Sequence, residues 1–486
     1  MTKVLGNLKP QEVWSIFEDV CNVPRPSKHE EKIRAFILDF AKTNGIEGFT
    51  DKAGNVILRK PATAGNENMK AVVMQSHMDM VPQKNNDTVH DFLTDPIVPR
   101  IVDGWVHATG TTLGSDNGIG MCASMAIMAS KDIQHGPLEC LITFDEETGM
   151  TGAFELEGGI LKADILINLD SEDHGEIFIG CAGGENTIAK IKYNQVPADK
   201  NSTAFNIVVK GLKGGHSGLD INLGRGNSNK IMNRILWNAS REFGLSVSKV
   251  AGGNLRNAIP RESNALVTVP NDKKDAFLKF ATAFTQRIQK ELATTDPGLQ
   301  ITVEPTTLPE NVMDAVNQKN FLNAVYACPN GVWEMSADMI GLVETSNNVA
   351  IIKVENGIAQ VETLQRSSVE SQKEDIAYAI ASAFELAGAE IERTGSYPGW
   401  KPNVQSEILE TMKTVFKNLY GTEPKLQAVH AGLECGLLGS VYPNWDMISF
   451  GPTIRSPHSP DERVDIKSVE AFWNYLVETL KNIPRK

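Results

Sequence analysis

The strongest constraint on the fold is a set of short apolar runs, each bounded by turn residues and followed by acidic or imidazole side chains. The runs cover residues 71–74, 138–144, 164–167 and 447–450. Runs of this length are typical of strands that are buried on both faces of a parallel sheet. Helical patterns separate them, so the sequence predicts an α/β domain with a mainly parallel central sheet flanked by helices.

The sequence pattern changes at about Ala189, where strands with alternating apolar and polar residues replace the continuous apolar runs. The block over residues 206–293 is predicted to contain strands over 206–210 and 264–269 and helices over 227–242 and 275–293. The block over residues 348–386 repeats this order, with a turn at Asn356-Gly357 between two strands and a helix from Gln372. Such ββα-like halves indicate antiparallel pairing. We therefore predict an inserted α+β lid or dimerisation domain over residues 189–394. Residues 1–188 and 395–486 then form the catalytic domain.

Composition excludes several classes of protein. A length of 486 residues indicates at least two domains. The net charge of −13 disfavours nucleic-acid and membrane-surface partners. The six cysteines form no CxxC pair, and no stretch approaches the ~20 apolar residues of a spanning helix. We expect a soluble cytoplasmic protein with reduced thiols and no signal peptide.

Acidic and imidazole side chains follow the ends of the predicted strands, and one more stands at the entry to a small-residue helix over residues 118–130. These side chains are His77, Asp79, Asp116, Glu146, Glu147, Asp170 and His458. Ligands of open α/β sheets bind outside the carboxyl ends of the strands. The residues are therefore expected to converge on one site, although no HExxH motif occurs.

The chemistry of this set suits a divalent metal. Two imidazoles and three carboxylates favour zinc or a similar ion, and five ligands fit two ions if one carboxylate bridges. Paired ions can hold a hydroxide and polarise a carbonyl. Asp79 is placed to orient His77. In the pair Glu146-Glu147, one carboxylate would bind metal and the other would accept a proton from water.

Each motif also has an ordinary structural interpretation. HxD sequences are common, and an adjacent Glu pair is usually a solvated surface. TLGSDNG is compatible with a turn that caps a helix, and PHSPDE with a surface loop. The functional interpretation is favoured because all of these residues coincide with strand ends and together supply a complete site.

The motifs HMDM, TTLGSDNG, DEET, NLDSED and GPTIRSPHSPDE resemble those of the co-catalytic zinc peptidases, the family of carnosinases, aminoacylases and glutamate-releasing carboxypeptidases. Longer segments, among them GLKGGHSG, LRNAIPRE and YPGWKP, are similar to a bacterial dipeptidase branch of that family. The resemblance extends from about Pro10 to Pro484. It implies hydrolysis of unblocked dipeptides, preferentially Xaa-His, by a hydroxide that bridges the metals.

The resemblance also implies a role for each residue of the set. His77 and Asp170 would hold one Zn2+, Glu147 and His458 the other, and Asp116 would bridge. Glu146 would be the general base, and Asp79 would orient His77. The family often has a cis peptide after the bridging aspartate, here Asp116-Asn117. Two Zn2+ ions per subunit are expected, and Co2+ or Mn2+ can substitute.

Four further residues are candidates for contacting the substrate. His216 in GGHSG corresponds to a family imidazole that stabilises the oxyanion, and in dimeric relatives this side chain comes from the neighbouring subunit. Asn257 and Arg366 would grip the substrate carboxylate. Glu434, in the glycine-rich motif HAGLECG, would bind the substrate ammonium group. His216 could also lie on a surface turn, and Arg366 could form a structural ion pair.

Several alternatives remain open. An aminoacylase or tripeptidase would use the same metals on another substrate, and a non-catalytic relative would bind metal or peptide only. Retention of Glu146 disfavours the non-catalytic reading. A zinc site formed by His430 with Cys435 is a less favoured alternative. A homodimer is preferred over a monomer.

Overall fold

The computed structural model describes residues 4–486 and divides them into two compact units. The first unit contains the residues up to Gly180 together with 402–428 and 433–486, and the second contains 181–401 and 429–432. The first division thus precedes the predicted boundary at Ala189, and the second follows the predicted boundary at Thr394. The reason is that the strands Gly183–Lys192 and Glu390–Tyr397 pair with each other in the sheet of the second unit.

The first unit is built on an eight-stranded sheet. In spatial order its strands are Glu47–Thr50, Val56–Lys60, Leu138–Thr143, Val72–His77, Ile165–Asn168, Asp446–Ser449, Glu176–Cys181 and Lys425–Val429. The four strands from Leu138–Thr143 to Asp446–Ser449 are parallel to one another. The first two strands pair antiparallel with each other, and the second of them pairs antiparallel with Leu138–Thr143. Glu176–Cys181 pairs antiparallel with Asp446–Ser449. Every residue of Val72–His77 is buried. The predicted mainly parallel α/β sheet is confirmed.

Helices accompany this sheet. They are Gln11–Val20, Glu31–Thr43, Ser115–Ala129, Glu146–Gly149, Thr151–Phe154, Glu407–Tyr420, Glu434–Val441 and Ile466–Lys481. The helix Ser115–Ala129 consists largely of small and apolar residues, and nearly all of it is buried. A small antiparallel sheet adds the strands Ile454–Arg455, Arg463–Asp465, Trp105–Ala108 and Pro99–Val102. No helix within residues 4–486 has the length and apolar composition needed to cross a membrane.

The second unit is built on a nine-stranded antiparallel sheet. Eight strands follow in the spatial order Gln300–Thr306, Ser202–Lys210, Ser263–Pro270, Ser246–Gly252, Val343–Glu355, Ile358–Ser367, Gly183–Lys192 and Glu390–Tyr397. The ninth, Gly331–Met335, pairs with Val343–Glu355. Two short ladders join Gln195–Pro197 to Asn311–Met313 and Gly215–His216 to Ala258–Ile259. The helices are Ile221–Leu223 (a 3-10 turn), Ser228–Phe243, Lys274–Glu291, Ala315–Ala327 and Glu370–Glu385.

This sheet consists of two βαββαβ repeats with the same strand order. They join edge to edge where Ser246–Gly252 pairs with Val343–Glu355. The longer helices and the sheet share one core, which includes Phe205 and Phe277. The predicted turn is present, with positive φ at Asn356 and Gly357 between two paired strands. In the first repeat the prediction found two strands and both helices but missed the strands Ser246–Gly252 and Gln300–Thr306. In the second it found two strands and the helix Glu370–Glu385 but missed the helix Ala315–Ala327 and the strands Gly183–Lys192 and Glu390–Tyr397.

Candidate metal centre

The predicted ligand residues occupy one edge of the first unit's sheet, at the carboxyl ends of its parallel strands. His77 is the last residue of its strand, and Asp170 lies two residues beyond the strand that ends at Asn168. Glu146 and Glu147 begin the short helix that follows Leu138–Thr143. Each side chain is therefore positioned by a rigid strand end.

Asp116 lies between the two imidazoles. Its Oδ1 is 3.2 Å from Nε2 of His77, and its Oδ2 is 3.4 Å from Nε2 of His458. Oδ1 of Asp170 lies 3.4 Å from the same nitrogen of His77, and Oε2 of Glu147 lies 2.8 Å from that of His458. Two ligand groups thus share one carboxylate, each oxygen of which faces a different group.

Three sets of potential ligand atoms lie within 4.8 Å of one another. They are His77 with Asp116 and Asp170, Asp116 with Glu147 and His458, and His77 with Glu146 and Glu147. His77 is 1% exposed, whereas the side chain of His458 is 51% exposed. His458 therefore reaches the surface, whereas the carboxylates beside it are largely buried.

Negative charge dominates the centre. Burial alone would lower the pKa of His77, but the carboxylates of Asp170, Asp116 and Asp79 raise it well above its ordinary value. Hydrogen bonds to Asp116 and Glu147 raise the pKa of His458 to about 11. The surrounding carboxylates therefore stabilise positive charge at this place, whether it belongs to an imidazolium ring or to a bound cation.

The pKa values of two carboxyl groups in the centre are also shifted, by burial and by the neighbouring negative charges. Burial raises the pKa of Glu146 well above its ordinary value, and the charges of Asp170 and Glu147 add to this effect although His77 opposes it. Burial also raises the pKa of Asp170 to about 6. Oε1 of Glu147 is buried without a hydrogen-bond partner. These donors fit divalent cations, so the centre contains candidate sites for two metal ions.

Asp79 connects the two sides of the centre. It is fully buried, and its Oδ1 lies 3.3 Å from Nδ1 of His77. Its oxygens also accept hydrogen bonds from the backbone N–H groups of Glu146 at 3.1 Å and Glu147 at 3.3 Å, and from Oγ of Ser27 at 2.7 Å. This geometry is consistent with the predicted role of Asp79 in orienting His77. The carboxylate also fixes the backbone of Glu146 and Glu147.

Glu462 is a buried residue that the sequence analysis did not single out. Its carboxylate accepts hydrogen bonds from the backbone N–H groups of Leu113 at 2.7 Å, Gly114 at 2.9 Å and Ser115 at 2.7 Å. It also accepts one from Oγ of Ser115 at 2.6 Å. Glu462 therefore fixes the loop that leads into Asp116. Its presence in PHSPDE was visible, but nothing in that motif marks the residue as buried.

Asn117 was also missed. The peptide bond between Asp116 and Asn117 is cis, as expected. Nδ2 of Asn117 donates hydrogen bonds to Oδ1 of Asp170 and, at 2.8 Å, to the carbonyl oxygen of Leu169. A Cβ atom on Gly120 would lie 2.4 Å from Oδ1 of Asn117, so only glycine leaves room there. Asn117 therefore holds the candidate ligand Asp170 and the backbone just before it.

Arg25 forms a further unpredicted link. It is buried and donates from Nη1 to the carbonyl oxygens of Met78 at 3.0 Å and Asp79 at 2.9 Å. Its Nη2 donates to the carbonyl oxygen of Gly114. One guanidinium thus joins the segment after His77 to the loop before Asp116.

The family model described as peptidase family M20/M25/M40 matches residues 73–482. The chain belongs to this peptidase family. It is 44% identical over 482 residues to the cytosol non-specific dipeptidase of Escherichia coli, a match that covers 99% of both chains. The family assignment expected from the motifs is therefore confirmed.

Solved structures of other peptidases are also similar. The aminoacylhistidine dipeptidase of Vibrio alginolyticus matches with a TM-score of 0.96 and 46% identity, over 100% of this chain and 99% of that one. A tripeptidase of Staphylococcus aureus matches with a TM-score of 0.57 and 16% identity, over 98% and 99%. The second likeness concerns the fold alone.

Glu434 lies in the first unit of this peptidase. It is 1% exposed, and its Oε2 accepts hydrogen bonds from Nε2 of Gln75 at 2.6 Å and Oγ1 of Thr143 at 2.8 Å. Its Oε1 is buried without a partner. Burial raises the pKa of Glu434 to about 8, against the effect of His77 and with that of Asp170. Gln75 stands on the strand that ends at His77, and Thr143 ends the strand that leads to Glu146, so Glu434 lies close to the candidate metal centre.

The remaining candidates lie together in the second unit. The strand Gly215–His216 pairs with Ala258–Ile259, which brings His216 beside the loop of Asn257. The backbone N–H of Ser217 donates to the carbonyl oxygen of Asn257 at 2.8 Å. Nε of Arg366 donates to Oγ of Ser217 at 3.3 Å. The side chain of Arg366 is buried, whereas Asn257 is exposed.

The zinc alternative at His430 finds no support. Within residues 4–486, neither His430 nor Cys435 belongs to a group of side chains placed to hold a metal ion. Nε2 of His430 lies 2.7 Å from Oγ of Ser346, and burial lowers the pKa of His430 to about 3. The histidine is therefore a neutral, buried hydrogen-bonding residue.

Proposed function

We propose that this M20/M25/M40 peptidase is a metal-dependent dipeptidase that hydrolyses unblocked dipeptides, preferentially Xaa-His. The observation that carries the metal-dependent reaction is the carboxylate of Asp116, whose two oxygens face two separate imidazole-carboxylate groups. The substrate class rests on the full-length similarity to two relatives named as dipeptidases. One is named non-specific and the other aminoacylhistidine, so Xaa-His is proposed as a preference within a broader range.

The proposal includes two Zn2+ ions, with Co2+ or Mn2+ able to substitute. His77 and Asp170 would hold one ion, Glu147 and His458 the other, and Asp116 would contact both. Such ions supply Lewis acidity that polarises a carbonyl group and lowers the pKa of a water molecule. Asp79 would hold the His77 ring in the orientation that presents Nε2 to the ion.

Glu146 is the proposed general base. It borders the ligand groups without being needed for either of them, because Glu147 supplies the carboxylate next to His458. Its backbone is fixed by Asp79. Glu146 would take a proton from the attacking water and pass it to the leaving amine of the dipeptide.

His216 is the proposed oxyanion donor. Its Nδ1 accepts hydrogen bonds from the backbone N–H groups of Gly218 at 3.2 Å and Leu219 at 3.1 Å. A neutral imidazole that accepts at Nδ1 carries its proton at Nε2. Burial and the positive charge of Arg366 lower the pKa of His216, which favours this neutral form. His216 can therefore donate a hydrogen bond from Nε2 to developing negative charge.

Arg366 is the proposed receptor for the substrate carboxylate, with Asn257 beside it. Arg366 is 4% exposed, and no acidic side chain among residues 4–486 forms an ion pair with it. An unpaired buried guanidinium is unfavourable unless an anion joins it. The C-terminal carboxylate of a dipeptide supplies such an anion and can form two parallel hydrogen bonds.

Glu434 is the proposed receptor for the substrate ammonium group. Gln75 and Thr143 saturate one of its oxygens, and the other has no partner. A buried carboxylate with one open oxygen requires a donor. The free amino terminus of an unblocked dipeptide is a positively charged donor, whereas an N-acyl amino acid lacks this charge.

The direct test is hydrolysis of Ala-His by the purified full chain with added Zn2+. We expect turnover that a chelator abolishes and that Zn2+ restores. Ala-Ala measures the breadth of the dipeptide preference, while an N-acetyl amino acid and Ala-Ala-Ala represent the aminoacylase and tripeptidase alternatives. Turnover of either of these without turnover of Ala-His would contradict the proposed substrate class. Chelator-resistant hydrolysis would contradict the proposed metal dependence.

Compartment and assembly belong to the same proposal. The Escherichia coli relative is named for the cytosol, and we propose the same location here. A homodimer remains the preferred assembly, with a monomer as the alternative and the second unit as the dimerisation and lid domain. Light scattering coupled to gel filtration distinguishes the two masses. In the sheet of the second unit, Gln300–Thr306 and Glu390–Tyr397 are the outer strands available for pairing between copies.

A further inference from the structure

A row of polar side chains crosses the middle of the first unit's parallel sheet. Thr143, Gln75, Asn168 and Ser449 stand on four neighbouring strands near their carboxyl ends, and each is at most 1% exposed. Gln75 is the register partner of Asn168, which is in turn the partner of Ser449. Polar groups buried in such a sheet are costly unless they are hydrogen-bonded.

The hydrogen bonds along this row have one direction. Oγ of Ser449 donates to Oδ1 of Asn168 at 2.5 Å, and Nδ2 of Asn168 donates to Oε1 of Gln75 at 2.5 Å. The orientation of the Asn168 amide is fixed because the backbone N–H of Asp170, which can only donate, also contacts Oδ1 at 3.2 Å. Gln75 must then accept with Oε1 and donate with Nε2.

The row ends at Glu434. Nε2 of Gln75 donates to Oε2 of Glu434 at 2.6 Å, and Oγ1 of Thr143 donates to the same oxygen at 2.8 Å. Two donors on one oxygen fix the orientation of the carboxyl group. The other oxygen, Oε1, stays buried without a partner. The side chain is thereby held with one oxygen free for a charged donor.

We propose that the chain Ser449–Asn168–Gln75 positions the carboxyl group of Glu434 as the receptor for the substrate ammonium group. The preference for a free amino terminus is then set partly by residues inside the sheet that do not touch the substrate. This inference rests on the proposed dipeptidase function and on Glu434 as the ammonium receptor. Gln75 is the decisive positioning residue because its amide accepts a hydrogen bond from Asn168 and donates one to the carboxyl group of Glu434.

The test compares Gln75→Met with the wild-type enzyme. Methionine has a similar length but cannot donate a hydrogen bond, so Glu434 loses one of its two fixed donors. The substrate is Ala-His, and the competitive inhibitor is propionyl-histidine, which has the same skeleton without the ammonium group. We expect the KM of Ala-His to rise at least about tenfold while the KI of propionyl-histidine stays within about twofold. Metal content should not change.

Controls separate positioning from damage. Thr479→Val is the matched control, because Thr479 is also a fully buried polar residue of the first unit but its hydroxyl has no partner. We expect it to leave both constants unchanged. Should Gln75→Met fail to fold, as judged by circular dichroism, Ser449→Ala is the second variant. It removes the donor to Asn168 together with the hydrogen bond of 2.7 Å between the hydroxyl groups of Ser449 and Ser171. It should shift the KM of Ala-His in the same direction by a smaller factor.

The outcomes are distinct. A joint change of KM and KI, or no change of either in both variants, overturns the inference. Glu434→Gln is the reference, and an unchanged KM in that variant removes Glu434 as the receptor and the inference with it. In both cases, hydrolysis of Ala-His by the wild-type enzyme would still support the dipeptidase function. Failure of the wild-type enzyme to cleave Ala-His would instead overturn that function.

Discussion

Glu462 lies behind Asp116, and its Oε1 accepts a hydrogen bond of 3.3 Å from the backbone N–H of Asp116. The short segment around Asp116 therefore involves two carboxylates with different contacts. The Asp116 carboxylate faces the imidazoles, and the Glu462 carboxylate holds the backbone. Since Glu462 also binds three preceding N–H groups, it fixes the loop as an anionic cap would.

Replacing Glu462 by Gln should weaken metal binding. The amide can keep one acceptor oxygen, but its NH2 group would face backbone N–H donors and displace the Asp116 loop. We expect the affinity for Zn2+ to fall about 10–100-fold, the range typical of residues that orient metal ligands. Titration against a chromophoric chelator measures this change. Glu470→Gln, at an exposed position of the same C-terminal segment, is the control. Unchanged affinity in Glu462→Gln would contradict the assigned role.

Replacing Glu146 by Gln should separate binding from turnover. The ligand groups around Asp116 do not need this carboxylate, so two metal ions per chain should remain. Loss of the proton acceptor should lower kcat on Ala-His by about 10²–10⁴-fold. Metal analysis and steady-state kinetics provide both readouts. Glu155→Gln, at an exposed site nearby in the sequence, should behave as the wild type. Normal turnover in Glu146→Gln would remove Glu146 from the base role.

Metal binding should release protons. The neighbouring carboxylates raise the pKa of His77 well above its ordinary value and that of His458 to about 11. Both rings are therefore protonated in the metal-free enzyme at pH 7, and each must lose its proton before its nitrogen can bind a cation. Raising the pH removes this competition, so the affinity for Zn2+ should increase with pH.

Isothermal titration calorimetry in buffers of different ionisation enthalpy measures the protons released. We expect on the order of one to two per chain at pH 7. His458→Ala should release fewer, because one protonated ligand is lost. A binding enthalpy that does not depend on the buffer would show that the imidazoles are already neutral, contrary to the prediction.

Tyr397 should affect binding of the substrate rather than turnover. Its hydroxyl accepts a hydrogen bond of 2.9 Å from Nη1 of Arg366. Tyr397→Phe removes that partner and loosens the guanidinium, so the KM for Ala-His should rise about 2–10-fold with little change in kcat. Tyr326→Phe, at an exposed site of the same unit, is the control. A fall in kcat at constant KM would contradict the assignment of Arg366 to the substrate carboxylate.

Local sequence patterns predicted much of the secondary structure. The predicted helix over residues 227–242 corresponds to Ser228–Phe243, and the predicted strand over 264–269 to Ser263–Pro270. The helix predicted over residues 118–130 is found as Ser115–Ala129. Asp116 and Asn117 have non-helical backbone angles within that range, so the regular helix starts near Gly118, as predicted, and Glu462 holds the residues before it. Periodicity reports the regular part of an element but not such tertiary contacts.

The sequence by itself determined the α/β class and the family, and it predicted the residue types of the candidate metal centre. The class followed from the buried runs, which mark parallel strands whose carboxyl ends meet at one edge, and the family followed from the similarity of the motifs. Only the tertiary structure decided that the two oxygens of Asp116 face different imidazoles. It also revealed Glu462, Asn117 and the polar row that ends at Glu434. Their partners lie far away in the chain, and a buried polar residue has the same local signature as an exposed one until the fold brings its partners together.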